Sequence, residues 1–177
     1  TDSIYVTEQI ELLKYESELS SLVFDFYGPQ KRGDGMTVSK VSLAGKALAF
    51  TQSEKKLNIT LPKRNKASEL KIEIQFAGIP SDGLVISNNQ HNERTFFADN
   101  WPNRAHYWYA CIDHPSEKAR YDFILEAPEK YQVVANGELL SKKQGPAQTH
   151  IWHYQMQQAI PATEEEARQL YDADNGP

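Results

Sequence analysis

The sequence predicts an all-β, antiparallel fold, and three observations predict it. Apolar and polar residues alternate with a period of two in one segment after another. Turn signals separate those segments by about 8–12 residues, the spacing of a sandwich or a curved sheet. No long helical period lies between them, which argues against a doubly wound sheet.

The elements follow in chain order. Leu22, Phe24 and Phe26 alternate up to Gly28. Val41 and Leu43 run into a short turn at Ala44-Gly45-Lys46, and Leu48 and Phe50 return from it. Leu57, Ile59 and Leu61 repeat the pattern until Pro62 stops it. Leu70, Ile72, Ile74 and Phe76 alternate with Glu69, Lys71, Glu73 and Gln75, which predicts a strand with one buried and one wet face. Tyr121, Phe123 and Leu125 lead to Pro128. Val133 and Val134 precede Asn136-Gly137, the strongest two-residue hairpin signal, with Leu139 and Leu140 on the return. Ile151 to Tyr154 reads as a further strand. Loops are expected at Pro29–Gly35, Pro62–Ala67, Ser87–Glu93 and Ser141–Gln148. One helix is expected in the tail, Thr163 to Tyr171, where Thr163 and Glu166 fit a capping box.

Composition narrows the function classes. A chain of 177 residues suits one domain. At that size about 70% of the unfolded surface can be buried, so a core needs no staples. Lys and Arg number 19 against 24 Asp and Glu, a net charge of −5. That balance lacks the basic footprint of a nucleic-acid binder. No apolar run reaches the ~18 residues of a membrane span. A single cysteine, Cys111, cannot form an internal disulfide.

Chemistry-bearing motifs are few. No helical H-E-x-x-H is present to place two histidines on one face. His150 and His153 lie three apart in an expected strand and point to opposite faces. His106 and His114 flank an aromatic run and could approach each other, though a structural or solvated role fits them better than metal binding. Cys111 lies between Tyr109-Ala110 and Ile112, an apolar setting that raises a thiol pKa, so it reads as a buried structural residue. Gly33-Asp34-Gly35 reads as a lone turn.

The segment from Phe96 to Tyr109 concentrates aromatics, amides and charges, the mixture that lines small binding sites. Tyr107, Trp108 and Tyr109 read as a core strand with alternate rings packed inward. Asp99, Asn100 and Trp101 precede a proline in an expected loop and are the candidate binding residues.

Here the chain resembles a known family. Arg104-Ala105, Cys111, Asp113, Pro115 and Lys118-Ala119 are similar to the segment A-R-x-x-F-P-C-x-D-x-P-x-x-K-A. That segment belongs to the N-terminal domain of the aminopeptidase N family of zinc peptidases, which includes the leukotriene-A hydrolases. Leu22 to Gly28 with Val38 and Val41 resembles its L-x-L-D-x-x-G … V-x-x-V strands. Leu57 to Pro62 resembles L-x-I-x-L-P, and Ile74 to Leu84 resembles I-x-Y-x-G-x-P-x-x-G-L. Pro128 and Val134 to Gly137 resemble P … V-x-S-N-G. The agreements keep their order from about Ser21 to Pro161.

The resemblance implies a curved, saddle-like β domain over residues 1–161, with residues 162–177 as a tail. It implies the substrate-side, non-catalytic domain of an enzyme that hydrolyses N-terminal peptide bonds. The partners implied are a peptide substrate and a catalytic domain of the same polypeptide. Zinc and the general base would belong to that catalytic domain, whose H-E-x-x-H … E and G-x-M-E-N motifs this chain does not contain. The family's first strand is expected before Thr1. After Pro161 the chain departs from the pattern, with Glu164-Glu165-Glu166 in place of an apolar strand.

In the family, the N-terminal domain offers a Gln or Glu to the substrate's free amine, a few residues before the A-R pair. Counting back from Cys111 reaches Trp101. Its indole has no carboxylate or amide oxygen, so Asp99 is the first choice and Asn100 the next. A carboxylate there would favour a protonated amine. A second reading is a free-standing carbohydrate-binding sandwich in which Trp101, Trp108 and Trp152 stack on sugar rings. A third is a scaffold domain of a relative without catalytic residues.

Overall fold

The computed structural model describes residues 2–13, 19–62 and 69–162. The strands are β1 (Ile4–Leu13), β2 (Ser21–Asp25), β3 (Gly35–Leu43), β4 (Lys46–Ala47), β5 (Phe50–Gln52), β6 (Lys56–Thr60) and β7 (Glu69–Ile79). They continue with β8 (Leu84–Asn88), β9 (Arg94–Ala98), β10 (Lys118–Ala119), β11 (Asp122–Pro128), β12 (Glu138–Gln144), β13 (Thr149–Gln155) and β14 (Ile160–Pro161). Every pairing among them is antiparallel. The expected tail helix at Thr163–Tyr171 lies outside the described residues. So does the expected loop at Pro62–Ala67, apart from Pro62. The chain divides into two compact units, Thr1–Asp113 and His114–Pro177.

In the first unit a four-stranded sheet, β1-β7-β3-β4, shares a core with a three-stranded sheet, β2-β6-β5. The core consists of the alternating rows read above. Leu70, Ile72, Ile74 and Phe76 of β7 face Phe24, Phe26, Leu57, Ile59 and Leu61 from the other sheet. Val38 and Val41 are three residues apart, a spacing that breaks a period of two. A bulge between Val38 and Lys40 restores the phase, so Met36, Val38 and Val41 are all buried. The Gln52 amide ties the sheets together. Its Nε2 donates to the Met36 carbonyl at 2.8 Å, and its Oε1 accepts from Val38 N–H at 3.0 Å. The turn at Ala44-Gly45 forms as expected, with φ of 48° and 78°.

Strand β1 is an element the sequence reading lacked. It pairs with β7 along its whole length. Ile4, Val6, Ile10 and Leu12 pack on the core, and Glu8 occupies the same inward row. That carboxyl interrupts the apolar alternation and hides the strand. The β8–β9 hairpin was also unread. Its turn falls inside the expected Ser87–Glu93 loop, where the Asn89 side chain accepts from His91 and Glu93 N–H.

In the second unit β11-β13-β12 form one sheet and β10-β14 pair separately. The strands at Phe123–Leu125 and Ile151–Tyr154 form as expected. The Asn136-Gly137 hairpin does not, because Tyr131 to Ala135 is not a strand. Gly137 serves a close approach instead: a Cβ there would lie 2.2 Å from the Gln155 carbonyl oxygen. Leu139 and Leu140 belong to β12, which extends to Gln144 and shortens the expected Ser141–Gln148 loop to a tight connection into β13. Tyr154 anchors the irregular stretch, its hydroxyl donating to the Val133 carbonyl at 2.9 Å.

Candidate functional site

The segment Asp99–Asp113 carries the candidate residues, and it is not the expected core strand. It contains a short 3-10 turn at Ala105–Tyr107, with Ala105 fully buried as its foot. Its aromatics pack partly outside the segment and partly on one another. Tyr107 packs on Tyr27 with ring centres 4.6 Å apart, and Trp108 meets Tyr109 edge-on at 4.7 Å. Gly83 makes room for the turn, at φ +74°, where a Cβ would sit 2.1 Å from the Arg104 carbonyl oxygen.

Asp99 leaves β9 with its N–H donating to the Gly83 carbonyl at 2.7 Å. Its Oδ2 accepts from Arg104 Nη2 at 2.6 Å. Arg104 Nη1 reaches Asp82 Oδ1 at 3.4 Å, and its Nε donates to the Trp101 carbonyl at 2.6 Å. Arg104 N–H also donates to the Asn100 carbonyl at 2.7 Å. Burial works against the Arg104 charge, but Asp99 and Asp82 outweigh it and hold the guanidinium above its ordinary pKa. Asn100 Oδ1 accepts from Trp108 Nε1 at 2.8 Å. The Trp101–Pro102 bond is cis, and Trp101 is exposed. The three candidates therefore share one loop, closed by Arg104. Arg104 and Asp82 were not read as site residues. The Asp82-Gly83 turn signal and the Arg five places after Asp99 were the available clues.

The far end of the segment is pinned by a second polar group. His106 Nδ1 lies 2.6 Å from Asp113 Oδ2, whose side chain is 3% exposed. Asp113 N–H donates to Asp25 Oδ2 at 3.2 Å, and Lys56 bonds the other oxygen of Asp25. Burial opposes the Asp25 charge, yet Lys56 and the Asp113 N–H hold its carboxyl below the ordinary range. Ala110 N–H donates to Glu8 Oε2 at 3.0 Å. Burial nevertheless pushes the Glu8 pKa up to about 8. Burial also lifts the Cys111 thiol far above its ordinary value, helped by the charges of Asp113, Glu8 and Asp25, so no thiolate nucleophile forms.

Two further histidines have local partners, whereas His150 Nδ1 is buried without a hydrogen bond. His114 Nδ1 is 2.8 Å from Ser116 Oγ, and His153 Nε2 is 2.8 Å from Asp122 Oδ1. Among the described residues no group of three or more His, Cys, Asp or Glu side chains is arranged to hold a metal ion. Zinc therefore has no fitting site in them. Trp152 is fully buried and offers no face to a sugar ring, which removes one member of the expected stacking platform.

Comparisons with known proteins agree on one domain type. The family model of the peptidase M1 N-terminal domain matches residues 20–163. A leucyl aminopeptidase from Saccharolobus solfataricus is 24% identical over 143 residues, 76% of this chain. The match spans only 16% of that relative's length. Among solved structures, an M1 zinc metallopeptidase from Deinococcus radiodurans superposes with a TM-score of 0.69 at 22% identity, covering 90% of this chain and 35% of the other. The native leukotriene A4 hydrolase from Saccharomyces cerevisiae gives 0.68 at 17% identity, covering 90% and 25%. At these identities the likeness to the two structures is one of fold.

Proposed function

This chain belongs to the peptidase M1 N-terminal domain family, and on that premise we propose that it is the substrate-side, non-catalytic domain of a zinc-dependent aminopeptidase. The family match across residues 20–163 carries the reading. In it, residues 1–161 act as one N-terminal β domain beside a catalytic domain of the same polypeptide. That partner supplies the zinc and the general base for cleavage of N-terminal peptide bonds.

The role of this chain is then recognition. Asp99, Asn100 and Trp101 meet the free amine end of the peptide. Asp82, Asp99 and Arg104 together carry one net negative charge, which a protonated amine balances. Arg104 already engages Asp99 Oδ2, so the incoming ammonium binds through Oδ1 or shares the carboxylate. Trp101, exposed beside them, offers an apolar wall to the first side chain.

The test is hydrolysis of an aminoacyl-p-nitroanilide by the complete natural polypeptide, with and without a zinc chelator. Chelator-sensitive release from the free-amine substrate, and none from its N-acetyl form, is the expected result. Turnover by this 177-residue chain alone, or none by the zinc-loaded complete polypeptide, overturns the reading.

A further inference from the structure

We propose that Arg104 is the positioning residue of the amine-side loop, holding the Asp99 carboxylate and the Trp101 carbonyl in one geometry with Asp82 as its second counter-charge. The inference rests on the reading of Asp99 as the amine-facing residue and adds what aims it.

All three guanidinium nitrogens are in use. Nη2 takes Asp99, Nη1 takes Asp82 and Nε takes the Trp101 carbonyl. The planar fork holds donors on three separate nitrogens in one fixed geometry, whereas a lysine ammonium offers its three donors from a single atom on a flexible stem. The contacts tie together two chain segments, the Asp82-Gly83 turn and the loop after β9. The main chain reinforces them. Arg104 N–H closes on the Asn100 carbonyl, and Asp99 N–H closes on the Gly83 carbonyl. Gly83, without a side chain, lets the Arg104 carbonyl approach within the space a Cβ would fill.

The loop's other fastenings given above are polar as well: Trp108 Nε1 donates to Asn100 Oδ1, and Asp99 N–H to the Gly83 carbonyl. Ala105 is its fully buried foot, and Trp101 at its tip is exposed. Apolar packing therefore does not aim Asp99. The guanidinium does so, and charge-assisted bonds of this kind are directional as well as strong. The unequal distances, 2.6 Å to Asp99 and 3.4 Å to Asp82, mark Asp99 as the held partner. Asp82 keeps the local charge negative enough to attract a cation.

The test is a double-mutant cycle in the complete natural polypeptide, read as KM and kcat for an aminoacyl-p-nitroanilide. Asp99→Ala is expected to raise KM about tenfold with kcat within about twofold. Arg104→Gln is expected to do the same, and the double variant to be no worse than either single one. Arg104→Lys keeps the charge without the fork and is expected to recover less than half of the loss. It also carries the test if Arg104→Gln fails to fold, as judged by circular dichroism. If Asp99→Ala raises KM while both Arg104 variants leave it within about twofold, this inference falls and the proposed function stands. Multiplicative single effects also overturn it. A silent Asp99→Ala overturns both the inference and the assigned amine site.

Discussion

The two-sheet core of the first unit and the Asp99–Asp113 segment are neighbours in sequence and opposites in construction. The core rests on repeated apolar rows, so its information is spread over many residues. The segment enters that core only through Tyr109 and Ala110, and polar fastenings hold the rest: Arg104 to two carboxylates and a carbonyl, His106 to Asp113, and Ala110 N–H to Glu8. A row of small dispersion and burial contributions tolerates local change on its wet face. A single guanidinium tolerates less, because one substitution removes its three side-chain bonds together.

The largest effect should come from the core. Ile72 is fully buried, and Ile72→Ala should cost about 4 kcal/mol by chemical denaturation. A loss under about 1 kcal/mol would mean the rows are not the framework. Next comes the joint between the two regions. Gly83→Ala combines a positive φ with a Cβ 2.1 Å from backbone, and should cost about 3 kcal/mol. Its partner expectation is a changed environment for the Trp108 indole, visible as a shifted N–H resonance.

A smaller, opposite effect is expected at Glu8. Its folded pKa of about 8 lies above the starting value of 4.5, so the folded chain keeps a proton that the unfolded chain releases. The stability it contributes is complete below about pH 4.5 and is lost as pH rises through 8. Glu8→Gln keeps an oxygen for Ala110 N–H and carries no charge. It should raise stability by about 2 kcal/mol at pH 8 and by much less at pH 4.5. Equal gains at both pH values would contradict the buried carboxyl. The smallest effect belongs to the wet face of the framework: Thr37→Val on β3 should stay within about 0.5 kcal/mol.

The same contrast governs what could be read from the sequence. Strands β2, β6, β7, β11 and β13 were legible because alternation reports a half-buried strand directly. Strand β1 was not, because Glu8 stands where an apolar residue would complete the row. The spacing of Val38 and Val41 became interpretable only with the bulge. Asn136-Gly137 looked like a hairpin, but Gly137 answers to the backbone of Gln155 from another strand, a long-range demand that local sequence does not carry. The Tyr107–Tyr109 run looked like a core strand, whereas a short turn runs into it and leaves Tyr107 on Tyr27 and Trp108 edge-on to Tyr109. Asp99, Asn100 and Trp101 were legible as candidates from their chemistry before a proline. Their tie to Arg104 and Asp82 was not, since a guanidinium that closes a loop leaves no periodic trace.

In the proposed function this loop reads the free amine of a peptide. The most direct measurement is the affinity of the complete natural polypeptide for one short peptide, with its N-terminus free and acetylated, before and after Asp99→Ala. The free-amine form is expected to bind more tightly, and Asp99→Ala to shrink that preference about tenfold. An unchanged preference after Asp99→Ala, with the fold intact, would contradict it.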